Sequence, residues 1–160
     1  MDIRQLRAGN LVTTNGKPSG TTKGNIYKIL DTNSANRLDE LGLVGGVTLQ
    51  ILDGEYQTTV GAWLDYLEPI KVTVDLLKSI GFTNYRDDLL LNTGKHEIYI
   101  SKTWISGISY ISIYDDIGNL VLMANLASSN FYLHILQNII LDITGTEFIV
   151  TGKQIGRAHV

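Results

Sequence analysis

The chain contains no cysteine, few charged residues and no excess of basic residues. The absence of cysteine excludes a disulfide scaffold, a thiolate metal site and a cysteine nucleophile. Its 13 Lys and Arg against 16 Asp and Glu give a net charge of −3, which argues against a protein held to nucleic acid mainly by phosphate contacts. With 44% hydrophobic and 18% charged residues, the 160-residue chain is typical of a globular protein of one or two small domains.

Long apolar runs are missing as well. No stretch approaches the ~18 consecutive apolar residues that a membrane-spanning helix needs. The start, Met1–Gln5, lacks the apolar segment of a secretory signal. We therefore expect a cytoplasmic protein with no membrane partner.

The last six residues point to an artificial origin. Residues 155–160, Ile-Gly-Arg-Ala-His-Val, match one reading frame of the common short-read sequencing adapter, and the next adapter codon is a stop. We interpret this segment as translated adapter and exclude it from fold reasoning. His159 is then no functional candidate, which leaves His96 and His134.

Residues 1–70 are predicted to form short strands separated by turn residues. Asp53-Gly54 is a strong hairpin signal, because both central residues of that turn type need positive φ. Several short strands at this spacing predict a small SH3-like β-barrel that ends near Pro69. The strand-like segments are 11–12, 25–30, 47–51 and 56–63.

Residues 71–154 are predicted to form an α+β domain with an antiparallel sheet and two helices. The chain as a whole is thus expected to be α+β, a small N-terminal SH3-like barrel followed by this domain. The strand candidates are about 85–92, 96–104, 107–114, 120–126 and 147–150.

Local capping signals define the two helices. Thr73 is a good N-cap for a short helix, and Gly81 followed by Phe82 predicts a Schellman-type end. The second helix is predicted from Phe131 to Thr144, where Gly145 ends it.

Three stretches of the sequence, Leu6–Val12, Glu68–Phe82 and Tyr132–Asn138, together resemble a known family. Their order and spacing are similar to the blocks "LRIGN.V", "PIPLTEEWLLKFGF" and "YVHQLQNLYFALTG" of a family of small uncharacterised proteins common in phages and prophages of gut Bacteroidetes. The resemblance implies a phage-associated context and no particular chemistry. The chain departs from the family pattern at three positions. It has Lys71 where the family often has proline, Leu76 where it has tryptophan and Ile135 where it has glutamine.

The second helix carries the most suggestive polar residues. His134, Asn138 and Asp142 follow at i, i+4 and i+8 along one face, with Gln137 beside them. A metal or acid–base site is one interpretation, but no second histidine stands at metal-ligand spacing. We favour a solvent-facing polar stripe. Hydrogen bonds from this helix to the sheet or a loop are a further possibility, and we expect neither metal nor cofactor.

Aromatic residues of the first half form a second candidate. Tyr27, Tyr56, Trp63 and Tyr66 fit a groove of the kind that small barrels use for peptides. The alternative is that they fill the small core, which we favour for Trp63.

Two other segments invite functional interpretations. Gly16–Gly24 resembles a phosphate loop but lacks the Gly-Lys-Ser/Thr order and the following helix, so it is predicted to be a hairpin loop with a contact role. Tyr110, Ser112 and Tyr114 alternate with isoleucines, which predicts a strand with one apolar face and one partly solvent-exposed face that carries the tyrosines.

These patterns favour a non-enzymatic protein-interaction module in a phage or prophage, with a protein as partner. The alternative is a small hydrolase in which His134 works with Asp142, Glu97 or Asp116. Nucleic-acid binding is disfavoured, because it would need the few basic residues of the barrel to cluster. Those residues are Arg4, Arg7, Lys17, Lys23 and Lys28. The candidate binding residues are His134, Gln137, Asn138, Tyr27 and Tyr56.

Overall fold

A computed structural model describes residues 6–39, 42–52, 58–102, 108–127 and 131–147. Within these ranges the chain forms two antiparallel sheets and two α-helices. The first sheet uses residues up to Glu68 and the second uses residues from Thr83 onward. This arrangement confirms the predicted α+β class.

The first sheet has five strands in the order β4-β3-β2-β1-β5. A 3₁₀ turn, Leu64–Tyr66, joins β4 at one edge directly to β5 at the other. Flat strands would place these edges about 19 Å apart, whereas even an extended link from Trp63 to Leu67 spans only about 14 Å. The sheet therefore curls until its edges approach. The strands are β1 (Leu11–Thr14), β2 (Tyr27–Asp39), β3 (Gly42–Ile51), β4 (Thr59–Trp63) and β5 (Leu67–Glu68).

The hairpin of β2 and β3 is longer than the sequence predicts. Its ladder continues to the pair Asp39 and Gly42, whereas β4 pairs with β3 only from Gly46 to Gln50. The end of the hairpin thus has no third strand beside it among the described residues. The predicted turn at Asp53-Gly54 lies outside the described residues.

The second sheet is a meander in the order β10-β9-β8-β7-β6. The segment predicted as one strand over 85–92 is a hairpin instead, because Arg86 takes a left-handed φ of 54° and reverses the chain. The other three central strands are confirmed with shifted ends. The strands are β6 (Thr83–Tyr85), β7 (Asp88–Asn92), β8 (His96–Ser101), β9 (Ile108–Asp115) and β10 (Leu120–Ala127).

Helix α1, Val74–Ser79, begins and ends as predicted from its caps. The Thr73 hydroxyl accepts a hydrogen bond from the backbone N–H of Leu76 at 3.1 Å. Gly81 has φ 119°, and the N–H of Phe82 donates to the carbonyl of Leu77 at 3.0 Å, which is the Schellman pattern.

Helix α2, Leu133–Thr144, begins two residues later than predicted and ends at Gly145 with φ 71°. Phe131 and Tyr132, the first two residues of the predicted helix, form an extended segment instead. The Phe131 carbonyl accepts from the N–H of Val72 at 3.0 Å, and the N–H of Leu133 donates to the Ile70 carbonyl at 2.8 Å. The extended segment before α2 therefore pairs with residues 70–72. Neither helix in the described ranges is long and apolar enough to cross a membrane.

Two apolar cores share strand β1. Val12 packs in the core of the first sheet, whereas its neighbour Leu11 packs in the larger core between the second sheet and the helices. Ile26 also belongs to that larger core. All four residues of β1 are buried, so this strand is covered on both faces.

Two further predictions fall on residues that the structure does not describe. The expected last strand over 147–150 lies outside the described residues from position 148 onward, and so does the adapter-like segment 155–160.

Candidate functional site

An open cleft of about 410 Å³ lies against the first sheet. Its walls come from the β1–β2 loop, from β3 and β4, and from the 3₁₀ turn that joins β4 to β5. Pro18, Trp63 and Tyr66 supply its apolar and aromatic surface. The Lys17 ammonium lies 5.6 Å from the centroid of the Tyr66 ring, which puts a positive charge at the rim.

Trp63 lines this cleft rather than filling the core of the first sheet. In β4, Val60 and Ala62 pack in that core. Because side chains alternate along a strand, Gly61 and Trp63 point to the opposite face. The expectation that Trp63 is a core residue is therefore wrong: its side chain is half-buried and borders the cleft.

Tyr27 supports the cleft without lining it. Its ring is 2% exposed in the core of the first sheet, so the prediction of a groove-lining Tyr27 is wrong. Its hydroxyl accepts a hydrogen bond from the backbone N–H of Thr22 at 2.8 Å. This bond holds the β1–β2 loop, which is also held by the Thr21 hydroxyl, because it donates to the Pro18 carbonyl at 2.7 Å. Tyr56 lies outside the described residues.

The polar residues of α2 face the start of β1. The Gln137 side chain accepts from the N–H of Leu11 at 2.9 Å and donates to the carbonyl of Gly9 at 3.2 Å. The preferred interpretation of this face as a solvent stripe is therefore wrong for Gln137, and also for His134, which is buried. The other possibility, hydrogen bonds from the helix to a loop, is confirmed.

Two more contacts join α2 to the residues before β1. Asn10 is 3% exposed and donates to the Asn138 side-chain oxygen at 2.8 Å. Arg7 binds both carboxylate oxygens of Asp142, at 2.5 and 3.0 Å, on the surface. The hydrogen bond from Arg7 lowers the pKa of Asp142. The first and third stretches of the family resemblance thus contact each other directly.

His134 occupies an unusual position for a polar side chain. It is 1% exposed, and neither ring nitrogen has a hydrogen-bond partner within the part of the chain that the structure describes. Its ring stacks on Tyr132 with centroids 6.0 Å apart. Burial lowers the pKa of His134 because it penalises the charged imidazolium.

The carboxylates proposed as partners of His134 either bind other side chains or are exposed. Asp142 binds Arg7, Glu97 accepts from the Tyr99 hydroxyl at 2.6 Å, and Asp116 is exposed in the turn after β9. The described residues bring no carboxylate into hydrogen-bond contact with His134. They also contain no group of three or more His, Asp and Glu residues that could hold a metal ion.

Tyrosines cover the outer face of the second sheet, as the alternation in β9 predicts. Ile111 and Ile113 are fully buried, whereas Tyr110 is 54% exposed and Tyr114 is half-buried. Tyr99 in β8 lies beside Tyr114 on this face. Tyr85 also lies on this face, which the sequence does not predict, because the β6–β7 hairpin that presents it is predicted as a single strand over 85–92.

Comparison with known proteins gives no relative for this chain. No family model, no curated protein and no solved structure matches it. The resemblance to the phage family stays a prediction, and the chain's own residues carry the functional proposals that follow.

Proposed function

We propose that the protein is a non-enzymatic interaction module whose first sheet is an SH3-like barrel and whose cleft binds an extended peptide of another protein. The strand order, with β5 returning to β1 through a 3₁₀ turn, supports the barrel assignment. The single observation that carries the binding function is the cleft of about 410 Å³ with Trp63, Tyr66 and Pro18 in its walls.

The lining of the cleft favours a proline-containing peptide. Extended proline-rich segments dock into aromatic grooves because their backbone is already ordered and loses little entropy on binding. Trp63 and Tyr66 offer such ring surfaces, and Pro18 lines the same cleft. Lys17 at the rim favours an acidic residue beside the apolar contacts.

The shape of the cleft also fits this use. It is open, and its volume lies within the range of about 300–1,000 Å³ common for ligand sites. Gly61 has no side chain to obstruct it, and a Cβ placed there would meet no heavy atom within 4 Å. A ligand backbone can therefore approach β4 closely.

The hydrolase alternative lacks such support. It requires His134 to exchange a proton with substrate beside a carboxylate, within about 3.2 Å of its partners. The His134 ring is buried against Tyr132, and no described carboxylate contacts it. The observations on the cleft therefore favour the binding function.

Selection from a random-peptide display library on the full chain tests the proposal. We expect enrichment of extended, proline-containing sequences, and we expect a synthetic peptide of the enriched sequence to bind saturably. Trp63→Ala should weaken its binding about tenfold or more, because buried aromatic anchors dominate small interfaces. Gly61→Val should weaken it as well, because the added side chain enters the open cleft. Binding is measured by isothermal titration calorimetry.

Leu30→Ala is the matched control. Leu30 is another exposed apolar residue of the first sheet, at 40% exposure, and it does not line the cleft. This variant should bind the peptide like the parent protein, and circular dichroism should show that all three variants are folded. Selected peptides that bind Trp63→Ala and Gly61→Val as tightly as the parent protein would refute the site.

The phage context and the cytoplasmic setting belong to the same proposal. The support for the phage context is the resemblance of the three sequence blocks. Gene neighbourhood on an untrimmed contig tests this context: flanking phage genes are expected, and a neighbourhood of ordinary chromosomal genes would contradict it.

A further inference from the structure

The outer face of the second sheet carries a cleft of about 360 Å³ bordered by three tyrosine rings. Tyr99 lies between Tyr85 and Tyr114, and its ring centroid is 5.6 Å from each of theirs. The rings meet at 66° and 89°, so they form walls at steep angles rather than a flat stack. Rings at these angles present differently oriented surfaces to the cleft.

The charged side chains among the described lining residues of this cleft are both acidic. Asp88 and Glu97 line it together with the rings, and no Lys or Arg is among its described lining residues. The Tyr99 hydroxyl donates to Glu97 at 2.6 Å, which fixes the carboxylate beside the ring. This hydrogen bond raises the pKa of Tyr99 to about 12. Tyr99 therefore stays a neutral hydrogen-bond donor to the Glu97 side chain at neutral pH.

The protein already places one cation against this cluster. The Arg86 guanidinium lies 5.5 Å from the centroid of the Tyr85 ring. A ring face carries partial negative charge and attracts a cation within about 6 Å of its centroid. The Tyr85 side chain is 43% exposed beside this guanidinium, so this ring already binds a cation at the protein surface.

We propose that this cleft binds an alkylammonium group, supplied either by a free small molecule or by the lysine side chain of a partner. The alkyl groups would contact the ring faces, and the charge would lie near Asp88 and Glu97. An anion would be repelled by the two carboxylates, and a neutral molecule of the same shape would gain only the apolar contact. The site lies on a different sheet from the peptide cleft and does not depend on it.

Choline is the probe for the free ligand, and its carbon isostere, in which carbon replaces the quaternary nitrogen, is the neutral control. We expect saturable, millimolar binding of choline in NMR titrations of the full chain. Its N-methyl protons should shift upfield because they lie over ring faces. The isostere should bind several-fold more weakly. Equal binding of both compounds, or no saturable binding of choline, would overturn the proposal.

Variants assign the binding to the cleft. Tyr114→Leu should weaken choline binding about two- to fivefold, the loss expected for one ring at an exposed site. Glu97→Gln should also weaken it, while the weak binding of the isostere stays the same. Tyr110→Leu is the matched control, because Tyr110 lies in the same strand but does not line the cleft. Choline binding that is unaffected by Tyr114→Leu and Glu97→Gln would refute this location.

Peptides identify the source of the group. A short peptide with trimethyllysine and the same peptide with norleucine, which is uncharged, are titrated in parallel. Tighter binding of the trimethyllysine peptide than of choline supports the proposal and assigns the site to a protein partner. Binding of choline alone supports it and assigns the site to a small molecule. Measurable binding of the trimethyllysine and norleucine peptides with the same affinity contradicts a role for the charge.

Discussion

At the scale of single residues, His134 shows the cost of burying a polar side chain. A buried donor or acceptor without a partner costs about 1–3 kcal/mol relative to one that is hydrogen-bonded. The two ring nitrogens of His134 have no partner among the described residues, and the ring is stacked on Tyr132. Replacement by an apolar side chain of similar volume removes this cost and keeps most of the packing.

We therefore predict that the His134→Leu variant folds with unchanged or greater stability at neutral pH. Its free energy of unfolding should also depend less on pH than that of the parent protein. Because the folded protein lowers the pKa of His134, the unfolded chain binds a proton first as the pH falls below its ordinary value of 6.5. The free energy of unfolding of the parent protein then decreases, by at most about 1.4 kcal/mol per pH unit for one group.

Urea unfolding of both proteins between about pH 7.5 and pH 5.5 measures this difference. The other titrating groups are shared, so the parent protein should lose more stability than the variant over this range. Parallel curves for the two proteins would show that His134 is not protonated on unfolding.

At the scale of elements, the contact of α2 with the start of β1 joins the two halves of the chain. Gln137 satisfies two backbone groups at once, the N–H of Leu11 and the carbonyl of Gly9. Gly9 has φ 94°, a conformation that glycine adopts at little cost, and its N–H donates to the Ile29 carbonyl at 2.7 Å. The turn before β1 is thus fixed from both the sheet and the helix.

We predict that Gln137→Ala lowers the free energy of unfolding by about 1–3 kcal/mol, because it leaves the N–H of the buried Leu11 without its acceptor. Asp142→Asn is the matched control on the same helix face. It weakens an exposed ion pair with Arg7 and should change stability much less, since such pairs contribute little. Urea unfolding of the two variants tests this, and equal losses would contradict the assigned role of Gln137.

At the scale of the whole molecule, β1 couples the two cores. Leu11 and Val12 are adjacent in one strand of the first sheet but pack in different cores. A domain boundary near residue 70 remains a prediction. Because β1 packs against both cores, unfolding of the larger core would expose the face of β1 that carries Leu11.

Leu11→Ala is therefore predicted to destabilise both sheets together. The loss should be about 2–5 kcal/mol, as for other large-to-small changes at fully buried leucines. Native-state hydrogen exchange should show faster exchange in β3 and in β8 alike. Leu30→Ala, at an exposed position, should leave the exchange rates of β3 and β8 unchanged. Faster exchange confined to one sheet would show that the two cores unfold independently.

The features that the sequence predicted correctly depend on neighbouring residues. The Thr73 cap and the Gly81–Phe82 end of α1 are set within one helical turn. The faces of β9 follow from the alternation of isoleucine with tyrosine and serine, because successive side chains of a strand point to opposite sides. Such signals are complete within a few residues, so they can be read from the sequence directly.

The features that only the tertiary structure decided depend on residues far apart in the chain. Asn10 and Asn138 are 128 positions apart, and their contact places the polar face of α2 against a loop instead of in solvent. The curl of the first sheet, which brings Trp63 and Tyr66 to the loop at Pro18, is likewise set by the return of β5 to β1. The sequence by itself determined that both helices and most of the strands exist, and which face of β9 is apolar, but not every element boundary. The burial of His134 and the two clefts follow from how distant elements pack, which no local pattern encodes.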